Sequence, residues 1–340
     1  MSTYIKASAP LEFDNAPDWL IAYMRYRRTM LGNTPSSVMT DFKSVREYFQ
    51  WLKYFQENNS SPLCTEDLRT VNITTYTLMD AVNVKRALIE TYLFFCADTL
   101  GNEAATRQKK LVAIRSFYNY VLDQEDVLHT ELEYNPAERI RNPKTPKRQP
   151  VFLPEDACKA FLDAIRGENG PRDYALFLLM LSTGLRVSEV VNISLKDTNL
   201  TSKTIKIHGK GNKERTVYLT DAVVTSIQHN IDEYRVPAKA DTSLLAPLFI
   251  SKRTGTGLTT RSVERAMDKY ILKAGIGGMG YTPHKLRHTF ATVLSKTASA
   301  SVVQSALGHA NLNTSQIYIH LGQNEVQNAV RDSAVNDFGS

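Results

Sequence analysis

Apolar side chains recur at helical spacing over most of the first 130 residues. The clearest stripe has intervals of three and four residues, which place its members on one face of a helix. It consists of Val38, Phe42, Val45, Phe49 and Leu52. A Gly-Asn-Thr-Pro-Ser-Ser sequence precedes this stripe and offers Ser or Thr as an N-cap. With further helical segments predicted at about 79–100 and 103–122, this part of the chain is expected to be a small all-helical bundle.

The second half of the chain also follows a helical pattern, except at residues 204–219. There Ile205 and Ile207 alternate with polar residues, Val217 and Leu219 do the same, and a Gly-Lys-Gly-Asn sequence lies between the two runs. Alternation on both sides of a glycine-containing turn predicts a β-hairpin. Further helices are predicted at 154–165, 172–181, 262–272, 283–294, 301–307 and 314–320. We therefore expect a mainly α protein: an N-terminal helical bundle and a mixed α/β, mostly helical second domain with a small antiparallel sheet.

A basic, proline-rich segment separates these two regions. The sequence NPAERIRNPKTPKRQP contains four prolines and five basic residues but only one acidic residue, Glu138. Prolines at this density favour extended backbone and exclude a helix. The predicted organisation is a helical domain at 1–135, a linker at 136–150 and a second domain at 151–340. The linker's basic residues suit either a solvated tether or a contact with a phosphate backbone; they are Arg139, Arg141, Lys144, Lys147 and Arg148.

Length and composition exclude several classes of protein. A chain of 340 residues with 42% apolar and 22% charged residues suits two folded domains and excludes wholesale disorder. The longest clean apolar run, 174–181, is far shorter than the ~18 residues that a membrane-spanning helix needs. The N-terminal residues lack a basic start followed by an apolar stretch, which argues against secretion. Three widely separated cysteines form no disulfide or metal framework, so we expect a cytoplasmic protein.

The charge of the chain points to a polyanionic partner. The net charge is +6; residues 1–150 hold 19 basic against 18 acidic residues, and the remainder hold 22 against 17. Most of the basic excess therefore lies in the second half. That half has no GxxxxGK[ST] loop, no HExxH motif and no EF-hand-like acidic cluster, so nucleotide-driven or ordinary metal chemistry has no evident site.

Two groups of candidate residues lie in the first part of the second domain. The sequence TGLRVSEV places Arg186 at the start of a helix, three residues before Glu189 on the same face, where the carboxylate can hold the guanidinium. The sequence HGKGNKER places Lys210 at the hairpin tip between two glycines. Taken alone, the first group is better explained as a surface ion pair and the second as a solvated turn.

Two more groups follow nearer the C-terminus. His284 and Arg287 are three residues apart in the first turn of a helix that begins after Pro283. A later helix ends at a glycine that His309 follows directly, and Tyr318 comes nine residues after that histidine. A His-x-x-Arg spacing by itself is weak evidence, and a single tyrosine is most often a packing residue.

Together and in this order, the four groups resemble the catalytic domain of the tyrosine recombinase, or phage integrase, family, and within it the Xer-type site-specific recombinases. The sequences TGLRVSEV, HGKGNKER, HKLRHTFAT and LGHANLNTSQIYIHL carry the resemblance. It covers residues 150–325 strongly and residues 15–125 more weakly. The stretch 60–83 is longer than in compact Xer proteins.

The resemblance implies a role for each candidate residue. Tyr318 is expected to attack a scissile phosphodiester and to form a 3′-phosphotyrosine, which conserves the bond energy, so that rejoining needs neither ATP nor a metal or other cofactor. The remaining catalytic roles are phosphate binding by Arg186, Arg287 and His309, proton acceptance or phosphate donation by His284, general acid catalysis by Lys210, and support of Arg186 and the histidines by Glu189. Lys213 and Arg215 are expected to contact backbone phosphates.

The resemblance also implies partners. They are double-stranded DNA and three further copies of the chain, which form a homo-tetramer on two recombination sites and exchange strands through a Holliday junction; an accessory protein is left open, and no membrane is involved. An apolar stripe at Val326, Ala329, Val330 and Ala334 suits a terminal helix that docks on a neighbouring subunit. The alternatives are a type IB topoisomerase, a non-catalytic DNA-binding protein and a metal-dependent nuclease.

Overall fold

The computed structural model describes residues 11–58, 65–124, 128, 130, 132–145, 151–209, 214–236 and 241–307. The chain divides into two compact units, Met1–Lys147 and Arg148–Ser340, each with its own hydrophobic core. Within the described ranges the chain is mainly helical, with one small antiparallel sheet, as predicted. None of the helices in these ranges is both long enough and apolar enough to cross a bilayer.

The first unit is a bundle of helices. Their bounds are α1 Asp18–Thr29, α2 Pro35–Glu57, α3 Thr65–Thr70, α4 Leu78–Val82, α5 Arg86–Asp98 and α6 Ala104–Asp123. The predicted apolar stripe lies on α2, and all five of its side chains are buried. Thr34 caps this helix by accepting a hydrogen bond from the Ser37 amide at 3.3 Å, and Pro35 occupies its first position. The predicted break and restart of the chain are confirmed.

One predicted helix of this unit is divided in the structure. The pattern at 79–100 predicts a single helix, but α4 ends at Val82 and α5 begins at Arg86. Asn83 leaves the helical region with a ψ of 61°, while its amide still bonds to the carbonyl of Met79. Because Ala81, Val82 and Val84 are all buried across the break, the apolar pattern continues although the helix does not.

The core of the first unit is rich in aromatic side chains whose polar atoms are satisfied. The Tyr48 and Tyr118 hydroxyls lie 3.0 Å apart, and Tyr118 donates to the carbonyl of Ala81. Lys110 is nearly buried and pairs with Glu47. Each of these buried polar groups therefore has a partner within the bundle.

The second unit surrounds a buried central helix. Its elements are α7 Glu155–Asp163, α8 Gly170–Thr183, α9 Val187–Val190, β1 Thr198–Asn199, β2 Thr204–His208, β3 Glu214–Tyr218, α10 Asp221–Asn230, a π-helical turn Ile231–Arg235, α11 Thr260–Lys273, α12 Pro283–Leu294 and α13 Ala300–Leu307. The central helix is α8, where every residue from Ala175 to Thr183 is buried, and α10 and α12 pack against it. The predicted helix at 314–320 lies outside the described residues.

The predicted hairpin is confirmed, and its register assigns the faces of both strands. Ile207 pairs with Arg215 and His208 with Glu214 across β2 and β3. Directly opposed residues point to the same side of a sheet, so Arg215 shares the inward face with the buried Ile205 and Ile207. The short strand β1 and the helix α10 were not predicted. The signal for α10 was the N-cap Thr220, which accepts from the Val223 amide at 3.4 Å.

The N-terminal end of α8 carries a buried ion pair that is fully used within the fold. Arg172 and Asp173 are 7% and 3% exposed. The arginine donates to Asp173 Oδ1 at 2.8 Å, to the Tyr234 hydroxyl at 2.9 Å and to the Ile250 carbonyl at 3.0 Å. The other carboxylate oxygen accepts from the Tyr270 hydroxyl at 2.9 Å. Each charge at this end of the helix is therefore matched.

Candidate active site

The C-terminal end of α8 stops at a glycine that the packing requires. Gly184 has a φ of +63° in the left-handed region, where other residues are strained. A Cβ at this position would collide with the ring of Phe290 on α12 and come within 3.0 Å of Leu307 Cδ2. The glycine therefore lets three elements, α8, α12 and α13, approach each other closely, and the chain then turns directly into Arg186.

Arg186 and Glu189 form the contact that the sequence predicts. The Arg186 amide donates to Glu189 Oε2 at 2.8 Å, and the guanidinium Nη1 donates to Oε1 at 3.2 Å. The side chain of Glu189 is 7% exposed, whereas that of Arg186 is 43% exposed. The pair thus fixes the base of the arginine and leaves much of its guanidinium open to solvent.

Arg215 makes a contact that the sequence analysis did not anticipate. Its Nη1 and Nη2 atoms lie 2.9 Å from Glu189 Oε1 and Oε2, a two-pronged ion pair that joins β3 to α9. The expectation was a contact with a DNA phosphate, but the structure places this guanidinium against a buried carboxylate of its own chain. The sequence did carry a signal: Arg215 precedes Val217 and Leu219 in the inward alternation of β3.

Burial and the arginines act on Glu189 in opposite directions. Burial by itself raises the pKa of this carboxyl, but hydrogen bonds from Arg215 and from the Arg186 amide, together with both guanidinium charges, outweigh it. The pKa of Glu189 is therefore below its ordinary value. The group stays ionised at neutral pH and is held by two cations.

Arg287, from the predicted His-x-x-Arg group, contacts residues next to two other predicted groups. These residues are Gly184, two positions before Arg186, and Leu307, two positions before His309. Arg287 lies on α12 and is 5% exposed. Its Nη1 donates to the carbonyl of Gly184 and its Nη2 to the carbonyl of Leu307, both at 2.7 Å. The ends of α8 and α13 are thus tied to one guanidinium.

The three arginines lie close enough to affect each other electrostatically. Burial, and after it repulsion from Arg186 and Arg215, outweighs attraction to Glu189 and lowers the pKa of Arg287 to about 10. Arg287 nevertheless remains protonated at neutral pH. Among the described residues Glu189 is the one carboxylate beside them, so these guanidiniums leave positive charge uncompensated there, and an anion would relieve the repulsion among them.

His284 lies one turn before Arg287 on α12, as predicted. Partial desolvation lowers the pKa of this imidazole below 6.5, and repulsion from Arg287, Lys285 and Arg186 lowers it further. Its ring meets that of His288 edge to face, with centroids 4.8 Å apart. Burial, followed by His284 and the nearby cations, also lowers the pKa of His288. Both rings are therefore neutral at pH 7, the form that can accept a proton.

The strands that flank the Lys210 turn are held by polar contacts on their outer face. His208 Nε2 lies 3.0 Å from Asp197 Oδ1, and its Nδ1 lies 3.1 Å from Glu214 Oε1. Glu214 also pairs with Lys206 at 2.5 Å. Arg215 holds the inner face through Glu189, so both sides of the hairpin base are fixed. Lys210 and Lys213 themselves lie outside the described residues.

The remaining predicted site residues are divided between described and undescribed positions. Tyr318, His309, Lys147 and Arg148 lie outside the described residues. Arg139, Arg141 and Lys144 line a groove of about 650 Å³ in the first unit. Arg86 and Arg107 line the same groove, as does Glu90, which pairs with Arg86 at 2.8 Å. The sequence did not predict that Arg86 on α5 and Arg107 on α6 line the same groove as the basic linker residues.

The described part of the second unit therefore forms an anion site at the C-terminal end of α8. It combines an exposed guanidinium, a buried one and two neutral imidazoles around a single ionised carboxylate. In the described ranges, no group of three or more His, Cys, Asp or Glu side chains is gathered as a metal-ion site would require. The chemistry that these residues themselves offer is binding of a phosphate-like anion and acceptance of a proton.

Comparisons with known proteins point to one family. The model of the phage integrase family matches residues 151–325. The tyrosine recombinase XerC of Caldanaerobacter subterraneus subsp. tengcongensis is 31% identical over 318 residues, covering 92% of this chain and 86% of that protein. The tyrosine recombinase XerC of Halalkalibacterium halodurans is 34% identical over 319 residues, covering 92% and 96%.

Solved structures share the fold. The XerH site-specific recombinase in its post-cleavage complex with a palindromic difH substrate has a TM-score of 0.63 and 24% identity, covering 94% of this chain and 98% of that one. A lambda integrase dimer bound to a COC′ core site has a TM-score of 0.60 and 17% identity, covering 88% and 98%. At these identities the likeness concerns the arrangement of helices and strands.

Proposed function

The chain belongs to the phage integrase family and is an Xer-type tyrosine recombinase, a site-specific DNA recombinase, and from this premise we propose that it cuts and rejoins duplex DNA through a 3′-phosphotyrosine at Tyr318. Strands are exchanged through a Holliday junction, and no step consumes ATP. The observation that carries the proposal is the uncompensated positive charge around Glu189, which suits a scissile phosphodiester.

The arginines bind the phosphate and stabilise the negative charge that grows in the transition state. Arg186 offers an exposed guanidinium whose base is fixed by Glu189. Arg287 adds a cation of lowered pKa behind it. Because both are in place before DNA binds, little reorganisation is needed during the reaction, and one preorganised contact of this kind is typically worth about 10²–10³ in rate.

The reaction itself is a phosphoryl transfer in two symmetrical steps. The Tyr318 oxygen attacks phosphorus, the bond to the 5′-oxygen breaks, and the tyrosine is left esterified to the 3′-phosphate. His284, which is neutral at pH 7, takes the phenolic proton or donates to the phosphate, and His309 is a second phosphate donor. Lys210 gives a proton to the leaving 5′-oxygen. In the second step a 5′-hydroxyl attacks the phosphotyrosine and restores both groups.

Double-stranded DNA is the partner of both units. Residues 1–135 act as a core DNA-binding domain, 136–150 as a basic linker and 151–340 as the catalytic domain with its C-terminal docking helix. Support in the first unit comes from the groove, where five cations face one acidic residue. Such an excess of positive charge favours a phosphate backbone and makes binding sensitive to salt. Four protomers act on two sites, with each terminal helix docked on a neighbour.

The test uses a nicked suicide substrate that carries the candidate recombination sites of the host. Cleavage next to the nick releases a short 5′-fragment, so the covalent intermediate cannot be rejoined and accumulates. We expect a protein–DNA adduct that maps to Tyr318, is absent from Tyr318→Phe and forms equally in EDTA. The matched control is Tyr134→Phe, because Tyr134 is an exposed tyrosine of the first unit.

Each alternative gives a different result in the same experiment. Loss of activity in EDTA would indicate a metal-dependent nuclease. Relaxation of supercoiled plasmid without a recombination site would indicate a type IB topoisomerase. Tight DNA binding with no adduct on any candidate site would indicate a non-catalytic DNA-binding protein.

A further inference from the structure

We propose that Arg215 is a positioning residue that occupies Glu189 and thereby leaves the guanidinium of Arg186 free to bind the scissile phosphate. This inference rests on the proposed function. It replaces the expectation that Arg215 contacts a backbone phosphate, and it rests on one carboxylate that two arginines of unequal exposure share.

The carboxylate of Glu189 accepts four hydrogen bonds from two arginines. The carboxylate accepts two from Arg215, at 2.9 Å each, and two from Arg186, at 2.8 Å from the amide and 3.2 Å from the guanidinium. The two from Arg215 have the parallel geometry that makes arginine–carboxylate pairs strong. The single long one from the Arg186 guanidinium is the weakest of the four by distance.

The side chains of the two arginines also differ in their exposure to solvent. The side chain of Arg215 is 21% exposed, against 43% for Arg186. Arg215 lies on the inward face of β3, opposite Ile207, and its Nε atom is buried without a hydrogen-bond partner in the described structure. Both terminal nitrogens of Arg215 are bound to one carboxylate, whereas Arg186 places only Nη1 on Glu189 and keeps most of its five N–H donors.

The guanidiniums of Arg215 and Arg186 compete for the carboxylate of Glu189. Glu189 is 7% exposed, and a buried carboxylate must keep a partner because its desolvation is costly. If Arg215 is shortened, the guanidinium of Arg186 is the arginine side chain that remains on the carboxylate, since it already touches Oε1. It would then turn onto Glu189 with two N–H groups and withdraw from the position in which it meets phosphate.

The geometry has a second consequence for the hairpin. Arg215 follows the turn that carries Lys210 and bonds to α9, where Arg186 begins. The same ion pair therefore fixes one strand of that turn relative to the arginine that grips the phosphate. The general acid and the phosphate contact are held in register by one residue that need not touch either the DNA or the reacting atoms.

The experiment measures adduct formation on the suicide substrate for Arg215→Lys, alone and in an Arg186→Ala background. Lysine keeps the charge but loses the paired bonds, so we expect the single-turnover cleavage rate to fall by up to about 100-fold, as for a misplaced catalytic contact. In the Arg186→Ala background the same substitution should have almost no further effect. Equal effects in both backgrounds would overturn the proposal.

Two further readouts separate positioning from a phosphate contact and from simple loss of structure. A lost phosphate contact reduces the slope of log affinity against log salt by about 0.9; Arg215→Lys should leave that slope unchanged, and a reduced slope would reject the proposal. In a Glu189→Gln background no charge competes for Arg186, so Arg215→Lys should cost less than in the wild type. An unchanged cost there would also reject it.

The controls keep this test independent of the proposed function. Arg261→Lys makes the same exchange in an exposed pair, where Arg261 lies 3.1 Å from Glu264, and should leave cleavage unchanged. If the wild-type protein forms no adduct, the proposed function has failed rather than the role of Arg215. If Arg215→Lys does not fold, as judged by its melting temperature, Arg215→Gln in the same two backgrounds gives the comparison.

Discussion

The two ends of α8 show how the same residue types serve different purposes. At the N-terminal end, Arg172 faces Asp173 in a buried pair with two tyrosine hydroxyls around it. At the C-terminal end, Arg186, Arg287 and Arg215 surround Glu189, the one carboxylate that the described residues place there. Each end has a buried arginine near a buried carboxylate, Arg172 with Asp173 and Arg287 near Glu189, so the burial of these groups does not distinguish the two ends. What differs is the balance of charge.

This difference separates a structural cluster from a binding site. A buried charge that is matched within the fold stabilises one arrangement and has no use for a ligand. A group of cations that lacks counter-charges carries unrelieved repulsion, which the lowered pKa of Arg287 records. An incoming phosphate supplies the missing negative charge, so the C-terminal end gains most from binding DNA.

The largest expected effect is on stability, at the N-terminal end. Arg172→Met leaves Asp173 buried without its cation, so we expect the free energy of unfolding of the second unit to fall by about 3–5 kcal/mol. Denaturant unfolding followed by circular dichroism measures this change in the free energy of unfolding. Arg166→Met removes an exposed cation 4.0 Å from Asp163 and should change stability by less than about 1 kcal/mol. Similar losses in the two variants would show that the buried pair is not what holds this end.

The next effect is on catalysis, at the C-terminal end. Arg287→Met leaves the carbonyls of Gly184 and Leu307 without this donor, but it also removes a cation that repels Arg186. The fold should therefore lose less stability than in Arg172→Met, where a buried opposite charge is orphaned. The cleavage rate on the suicide substrate should nevertheless fall by about 10²–10³. If Arg287→Met unfolded the protein as strongly as Arg172→Met, or cleaved at the wild-type rate, the two ends of α8 would not differ in the way proposed.

The sequence predicts the apolar framework of both ends but not their charge balance. Periodicity located α2, α8 and α12 because burial imposes a regular spacing on apolar side chains, and the bounds predicted for the helix at 283–294 match α12. The pairing of Tyr270 with Asp173 joins residues 97 positions apart, and that of Arg215 with Glu189 joins residues 26 positions apart. No local pattern encodes such distances.

Knowing which residues belong to a site therefore does not tell what each side chain contacts. The motifs named Arg186, Glu189, His284 and Arg287 as members of one site, and among the described residues these do lie at one end of α8. The same reasoning treated Arg215 as a DNA contact because it lies in a basic sequence, HGKGNKER. Only the three-dimensional structure shows that its guanidinium faces Glu189, since that depends on how β3 packs against α9.

A smaller effect concerns pH. Since burial, and after it the neighbouring cations, hold the pKa of His284 below 6.5, the imidazole is neutral at pH 7, and cleavage should decline only as the pH falls through a value below 6.5. Lys285→Met removes one of the repelling charges, raises the pKa of His284 and should move this decline to higher pH without changing the rate at pH 8. The rate of adduct formation between pH 5 and 8 measures both.

The control for this pH effect is the neighbouring imidazole. His288→Gln removes the other histidine of low pKa but leaves His284 and its cations in place. The decline at low pH should therefore persist in His288→Gln and disappear in His284→Gln, whose remaining rate should be low and nearly independent of pH. Persistence of the decline in His284→Gln would assign it to another group.

The smallest effect tests whether an excess of cations also marks a binding surface where burial is low. In the groove of the first unit, Arg139 and Arg141 are exposed, and among the described residues that line it Glu90 is the one acidic side chain. Arg139→Gln combined with Arg141→Gln should reduce the slope of log affinity against log salt by about 0.9 for each lost phosphate contact. The cleavage rate at saturating DNA should stay unchanged, because these side chains bind DNA but do not act on the reacting phosphate.

Lys159→Gln is the control for the groove, since Lys159 is an exposed cation that already pairs with Glu155 at 3.4 Å. It should leave the salt slope unchanged, because its charge is matched locally, as that of Arg172 is. An equal reduction in slope for Lys159→Gln would mean that total charge, rather than local imbalance, determines DNA binding. The rule drawn from the two ends of α8 would then hold only for buried arginines and not for the surface of the first unit.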